Sequence, residues 1–206
     1  MNNSNLTEKW SENVIIVDGD YVDSVAFNLI VNFERMIGRH IPEADLAHWL
    51  DCIALDGGVK GESETSVIFI HDKEKKAMKN FRPSQYEEDM NGKAFRDNLG
   101  EFTMSSFPVE KVVSKDDFII DIVKTASNHK DVKRVMIIAD CDDGTMVDYL
   151  RHALKDVDDE KRITVFGMQP LAGGNFRQEI LGYSLMSALG IKSEEIKANW
   201  KLKIVN

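Results

Sequence analysis

Short apolar runs alternate along this chain with longer segments in which apolar residues recur every three or four positions. The runs are rich in β-branched residues and bounded by polar ones, which is typical of strands buried on both faces of a parallel sheet. The recurring pattern indicates amphipathic helices. The predicted strands are 13–18, 66–71, 101–109, 134–140 and 163–167. The alternation predicts an α/β fold, a three-layer sandwich around a mostly parallel central sheet of about five strands.

Helices are predicted between these strands. Pro42 opens the second of them, because proline is favoured in the first turn of a helix. The polar stretch 72–100 has no clear period, and we expect it to be partly helical. A short tail helix is expected within 193–203. The predicted helices are 20–39, 42–56, 116–127, 142–154 and 176–189.

The composition supports a single globular domain. The chain has 206 residues, of which 43% are hydrophobic and 30% charged, so it can bury a core. We assign residues 13–191 to this domain, 1–12 to a disordered polar tail and 192–206 to a C-terminal tail. No apolar run approaches the roughly 20 residues of a membrane span, and residues 1–12 lack a signal-peptide core. We therefore expect a cytoplasmic protein with no membrane partner.

Charge and cysteine content exclude several classes of protein. With 35 acidic and 26 basic residues, the net charge of −9 opposes non-specific binding of duplex DNA, which needs a basic face. Two cysteines, Cys52 and Cys141, cannot build a disulfide scaffold or a CxxC-type zinc site. Cys141 lies between two aspartates, whose charge raises the pKa of a thiol, so we reject it as a nucleophile. A soluble enzyme or a binding domain remains.

Carboxylates occur at three places that should meet at one edge of the sheet. Asp18 ends the first strand, Asp140 ends the fourth, and Asp117 lies in the first turn of the helix between them. Converging carboxylates repel each other and need a cation, and their hard oxygens suit Mg²⁺ or Mn²⁺. Taken singly, such aspartates are more often helix caps than ligands, and Asp142 and Ser114 precede predicted helices. Asp18 and Asp140 differ, because each ends an apolar strand, where an uncompensated carboxylate is costly. Further acids at these places are Asp20, Asp116, Asp121 and Asp143.

The same segments resemble, in this order, the motifs of the NYN branch of the PIN-like nucleases. Those motifs read roughly hhhDGxN, KxxDhxh and hhSGDSDF, where h is apolar. The matching segments are Val17-Asp18-Gly19-Asp20, Lys115-Asp116-Asp117 and Ile138-Ala139-Asp140-Cys141-Asp142. The resemblance covers 13–189 and implies a PIN-like, Rossmann-type fold.

The resemblance also implies an activity and a ligand set. It suggests a metal-dependent ribonuclease, a hydrolase of RNA phosphodiester bonds with a Mg²⁺ or Mn²⁺ centre. The ligands and catalytic residues would be Asp18, Asp117, Asp140 and Asp142. A metal-bound water would attack phosphorus, so no protein nucleophile is needed.

Two alternatives stay open at this point. Asp18-Gly19-Asp20 also resembles the start of haloacid-dehalogenase-type phosphatases, with Asp18 as nucleophile, Asp20 as general acid, and Asp140 and Asp143 on Mg²⁺. That family expects Ser or Thr where His71 ends the second strand. The other alternative is a non-catalytic binding module on the same PIN-like scaffold. It is favoured because Tyr21 and Ala139 replace the Asn and the Gly of the nuclease motifs.

A basic segment, 73–82, is the candidate contact for single-stranded RNA. Basic side chains bind phosphates, and nearby aromatic rings, here Phe81 and Tyr86, stack on bases. A solvated loop or helix face explains the segment equally simply. The candidate contacts are Lys73, Lys75, Lys76, Lys79 and Arg82. The sequence does not determine the oligomeric state, and it is compatible with a homodimer.

Overall fold

The computed structural model describes residues 10–197. Its strands are β1 (Asn13–Asp18), β2 (Ala44–Asp45), β3 (Ser63–Asp72), β4 (Phe81–Arg82), β5 (Lys93–Asp97), β6 (Gly100–Val109), β7 (Arg134–Ile138), β8 (Arg162–Gly167) and β9 (Arg177–Ile180). Its helices are α1 (Gly19–Ile37), α2 (Leu46–Asp56), α3 (Lys115–Asn128), α4 (Thr145–Leu154) and α5 (Leu181–Ala188). A π-helical turn covers Tyr86–Met90, and residues 193–197 are helical.

The main sheet confirms the predicted α/β class with a mostly parallel sheet. It has seven strands in the order β5-β6-β3-β1-β7-β8-β9. Only β5 runs antiparallel to its neighbour, β6, and all other pairs in this sheet are parallel. The strands β2 and β4 form a separate parallel pair.

Two hydrophobic clusters lie on opposite faces of this sheet, which is compatible with the predicted three layers. Side chains alternate along β1, so Ile15 belongs to one cluster and Ile16 to the other. The first cluster contains residues of α1, α2 and α5, including Trp49. The second contains residues of α3 and α4, including Val123 and Leu150.

The strand count of about five was wrong, because two edge strands carry no apolar run. In β9 all four residues are at least partly exposed, and the sequence RQEI reads as the start of a helix. The predicted helix 176–189 therefore begins only at Leu181. The strand β5 is similarly polar, and it lies within the stretch 72–100. That stretch was expected to be partly helical, and outside the π-helical turn it forms β4, β5 and turns.

Two helix starts also differ from the prediction. The second helix begins at Leu46 rather than at Pro42, because the side chain of Asp45 accepts a hydrogen bond from the N–H of His48 and caps it. The predicted helix 142–154 begins at Thr145.

Both predicted tails are described only in part. Residues 10–12 lie against the domain: Ser66 Oγ donates to Ser11 Oγ at 2.8 Å, and Lys133 Nζ lies 2.8 Å from a Glu12 carboxylate oxygen. At the other end, Glu195 pairs with Arg39 at the end of α1, with Oε1 and Nε 2.7 Å apart. The rest of the expected tail helix lies outside the described residues. None of the described helices is long and apolar enough to cross a membrane.

Candidate functional site

The chain order reverses direction at β1, and in open α/β sheets such a reversal forms a crevice at the carboxyl end of the strands. From β1 the chain passes through α1 and α2 to β3 and then to β6 on one side of it. It then returns through α3 to β7 on the other side of β1. In open α/β sheets, ligands bind outside the carboxyl ends of the strands at such a reversal of strand order. Asp18 and the residues after Ile138 lie at this reversal, because Val17 pairs with Ile138.

Asp18 is a buried carboxylate that caps α1. Its Oδ1 atom accepts hydrogen bonds from the N–H groups of Asp20 and Tyr21, each at 3.1 Å. The same oxygen accepts a hydrogen bond from Lys115 Nζ at 2.8 Å. Burial raises the pKa of Asp18, and the ammonium of Lys115 opposes this shift only in part.

Asp20 shares the same lysine. Its Oδ2 atom accepts hydrogen bonds from Lys115 Nζ at 2.9 Å and from the N–H of Asp72 at 2.8 Å. Burial alone would raise the pKa of Asp20, but these hydrogen bonds outweigh it and lower the pKa. Burial likewise would lower the pKa of Lys115, and its two carboxylate partners raise it instead. We call Asp18, Asp20 and Lys115 the carboxylate–lysine cluster.

A second group of side chains spans the crevice from α1 to the loop after β7. Tyr21 Oη donates to Asp142 Oδ1 at 3.1 Å, and the N–H of Asp142 donates to Asp140 Oδ1 at 3.1 Å. Both aspartates are exposed. Burial, and then the charge of Asp142, raise the pKa of the Tyr21 hydroxyl far above its usual range. Tyr21 is therefore a neutral hydrogen-bond donor that links the two sides of the crevice.

The other predicted acids lie in helix starts and on exposed surface. Asp117 is exposed in the first turn of α3, and its N–H donates to Ser114 Oγ at 3.2 Å. Asp143 Oδ1 accepts from the N–H of Thr145 at 2.9 Å, at the start of α4. Asp121 is exposed, and Asp116 is partly exposed. Among residues 10–197, no three His, Cys, Asp or Glu side chains are arranged to hold a metal ion.

Sequence reasoning did not identify Lys115 or Tyr21 as functional residues. Lys115 is the first residue of α3, where the partial positive charge of the helix end disfavours a cation. A lysine in that position is a signal that a carboxylate lies nearby. In the sequence, Tyr21 stands out only as a departure from the nuclease motif.

Two neighbours of the crevice have structural roles. Burial and the surrounding aspartates raise the pKa of the Cys141 thiol to about 12, which is the direction expected from the sequence. His71 is buried, and its ring stacks on Tyr86 with centroids 3.8 Å apart. Its Nδ1 atom lies 2.9 Å from the carbonyl oxygen of Asp72.

The basic segment borders the carboxylate–lysine cluster. Lys75 Nζ lies 3.4 Å from Asp20 Oδ1, and Lys73 pairs with Glu110. Arg82 Nη2 lies 2.8 Å from Glu43 Oε1.

A groove of about 620 Å³ runs beside this segment; we call it the lysine groove. Phe81 and Tyr86 are buried, so they do not offer the stacking surface expected from the sequence. An exposed ring on α1, Phe27, lines the groove instead. The other lining residues include Asp20, Asp23, Glu74, Lys75, Lys76, Lys79 and Asn80.

Comparison with known proteins identifies the family but no activity. Neither the curated proteins nor the solved structures contain a match to this chain. The resemblance to NYN nucleases therefore stays a prediction. A family model described as a family of unknown function, DUF6621, matches residues 7–196, and the chain belongs to that family.

Proposed function

We propose that this chain binds single-stranded RNA along the lysine groove, with the carboxylate–lysine cluster at one end. The observation that carries the proposal is that Lys75, Lys76 and Lys79 share this groove with the exposed ring of Phe27. Ammonium groups attract phosphates, and an aromatic ring can stack on any base whose face is free. The bases of a duplex are already stacked on one another, so the combination favours a single strand.

The charge balance of the groove sets the expected strength of binding. Asp20, Asp23 and Glu74 line it together with the lysines. All three acids are engaged. Asp20 accepts from Lys115, and Asp23 accepts from Asn80. Glu74 pairs with Lys111, with Oε2 and Nζ 2.8 Å apart. The remaining field is only weakly positive, so we expect modest affinity that depends strongly on salt.

The divalent metal implied by the sequence resemblance does not fit the carboxylates as they are arranged. Lys115 Nζ lies 2.8 Å from Asp18 and 2.9 Å from Asp20, so it supplies the positive charge that this pair needs. Asp117 is exposed on α3, and within residues 10–197 no metal-holding group forms. RNA binding without metal-dependent chemistry, the non-catalytic alternative, is therefore the function that we propose.

Metal-dependent hydrolysis of RNA is the second candidate, and one observation favours it. Asp20 Oδ1 is buried and accepts no hydrogen bond within the described structure, and its nearest cation, Lys75 Nζ, lies 3.4 Å away. A buried carboxylate oxygen without a hydrogen bond is costly, and Mg²⁺ or Mn²⁺ would satisfy it. Asp18, Asp20, Asp140 and Asp142 would then hold the metal, and Lys115 would have to leave its position.

Fluorescence anisotropy of a labelled, unstructured RNA oligonucleotide tests the proposal in the presence of EDTA. With three phosphate contacts, the logarithm of the association constant should fall by roughly 2 per tenfold increase in salt. Lys76→Gln combined with Lys79→Gln should weaken binding and flatten this slope, and Phe27→Ala should weaken binding without changing the slope. Lys124→Gln removes an exposed lysine of α3 and serves as the matched control.

Three results would overturn the proposal. The first is an absence of RNA binding at low salt, and the second is equal binding by the groove variants and the Lys124→Gln control. The third is RNA cleavage with Mg²⁺ or Mn²⁺ that Asp18→Asn abolishes, which would establish the second candidate. Release of phosphate from a small phosphomonoester, with an adduct on Asp18, would instead establish the phosphatase alternative.

A further inference from the structure

Three arginines lie side by side at the amino edge of the main sheet, opposite the crevice. Arg134, Arg162 and Arg177 are the first residues of β7, β8 and β9. Arg134 pairs in register with Arg162, and Arg177 pairs with Thr164, two positions after Arg162. Because residues two apart share a face of a strand, all three side chains belong to the same face of the sheet.

Within the described part of the chain, no carboxylate forms an ion pair with these arginines, although clustered cations usually have such partners. None of them forms an ion pair with another residue in the range 10–197. The Nε atoms of Arg134 and Arg162 are buried without a hydrogen-bond acceptor there. Burial and the charges of Arg177 and Arg134 lower the pKa of Arg162, against a smaller opposing effect of Glu179.

The backbone is shaped around one of these guanidinium groups. Gly58 has a φ of +85°, and a Cβ atom there would lie 2.4 Å from Arg162 Cζ. A side chain at this position would displace the guanidinium. The glycine therefore leaves room for the partly exposed guanidinium of Arg162, whose buried Nε atom has no hydrogen-bond acceptor among the described residues. A buried donor without an acceptor is costly, and an anion would satisfy it.

The arginines line a cavity of about 1050 Å³, which we call the amino-edge cavity. Lys130, Lys133 and Lys161 also line it. Lys133 is paired with Glu12, and Lys161 donates to the carbonyl oxygens of His129 and Val132. Acids line it too, namely Asp158, Asp159 and Glu160. All three are exposed in the loop before β8, and none of them forms an ion pair with Arg134, Arg162 or Arg177 in the range 10–197.

We propose that the amino-edge cavity binds an anion that carries two or more phosphate groups. A guanidinium donates two parallel hydrogen bonds to a phosphate, and donors on three adjacent strands suit a chain of phosphates better than one. The cavity is at the upper end of the usual size for small-molecule sites, so it has room for such a chain. A chain of linked phosphate groups occurs both in inorganic polyphosphates and in nucleotides. The proposal is independent of RNA binding at the lysine groove.

Isothermal titration of the full chain with sodium tripolyphosphate tests this proposal, with sodium acetate at equal ionic strength as the control anion. Saturable binding of tripolyphosphate and none of acetate is expected. Arg162→Gln and Arg177→Gln should each weaken binding by about tenfold or more, since each removes charge-assisted hydrogen bonds. Arg96→Gln is the matched control, because Arg96 is exposed on β5 and faces Glu62. ATP in place of tripolyphosphate distinguishes the sources: equal affinity indicates that only phosphates are bound, and tighter binding indicates a nucleotide.

Thermal unfolding separates a binding role from a structural one. If the arginines are held for an anion, Arg177→Gln should raise the melting temperature without ligand and abolish the stabilisation by tripolyphosphate. Arg177 is exposed, so this variant stays informative if Arg162→Gln does not fold. The proposal is overturned by an absence of tripolyphosphate binding at millimolar concentration. It is also overturned if Arg177→Gln and Arg96→Gln bind tripolyphosphate as the unaltered protein does.

Discussion

Replacement of Lys115 by methionine removes the cation that, among residues 10–197, contacts both Asp18 and Asp20. Methionine is unbranched like lysine and one atom shorter, so it keeps the apolar stem without the ammonium group and packing changes little. In the protein the lysine side chain is 21% exposed, and those of Asp18 and Asp20 are 4% and 7% exposed. Removal of one partner from a buried ion pair costs about 3–5 kcal/mol, because the other charge stays buried and unpaired. Lys75 Nζ lies 3.4 Å from Asp20 Oδ1 and offsets part of this cost. We therefore expect Lys115→Met to lower the free energy of unfolding by about 3 kcal/mol.

The loss of stability in Lys115→Met should become smaller as the pH falls. Without Lys115, burial raises the pKa of Asp18 further, and a carboxyl whose pKa is raised on folding is favoured in its protonated form. The variant should therefore regain stability relative to the unaltered protein as the pH falls toward 5. Asp18→Asn in the Lys115→Met background should recover part of the loss at pH 7.

Urea denaturation followed by circular dichroism at pH 7 and pH 5 measures these differences. Lys111→Met is the matched control, because Lys111 is a 73% exposed lysine paired with Glu74. The free energy of unfolding of Lys111→Met should lie within about 1 kcal/mol of that of the unaltered protein. If Lys115→Met is no less stable at pH 7 than Lys111→Met, then Lys115 does not neutralise these carboxylates and the reasoning is refuted.

Three further predictions concern single side chains. Burial and Asp97 raise the pKa of Asp51 to about 7, so stability should fall as the pH rises from 4 to 8; Asp51→Asn should flatten this dependence in thermal melts. Tyr21→Phe should cost about 1 kcal/mol in urea denaturation, since it removes the hydrogen bond to Asp142, and an unchanged midpoint would contradict that bond. Gly100→Ala should lose several times the stability that Gly92→Ala loses, because a Cβ at Gly100 would lie 2.0 Å from the Ser63 carbonyl oxygen and one at Gly92 meets open space. Equal melting temperatures of the two alanine variants would refute the last prediction.

The central strands could be predicted because burial on both faces leaves a continuous apolar run. In β7, for example, Val135 and Met136 are both buried although they point to opposite faces. Edge strands lack this signature. In β9, the residues Arg177 to Glu179 are exposed, and their pairing with β8 is decided by tertiary structure rather than by local pattern.

The candidate site was predictable only in its location. Asp18 ends a buried strand, and that position alone places it at the carboxyl edge of the sheet. Its partner, Lys115, is 97 positions away, and Tyr21 and Asp142 are 121 positions apart. Such contacts depend on how α3 and the loop after β7 approach β1, which no local pattern reports. The exposure of Phe27 and the burial of Phe81 are likewise outcomes of packing.

The central claim is that Lys115 takes the place of a divalent cation between Asp18 and Asp20. Titration of the metal-free protein with Mn²⁺, with free Mn²⁺ measured by electron paramagnetic resonance, tests it most directly. The account predicts no saturable binding in the micromolar range at pH 7 in the unaltered protein. Stoichiometric micromolar binding of Mn²⁺ that Asp18→Asn abolishes would contradict it.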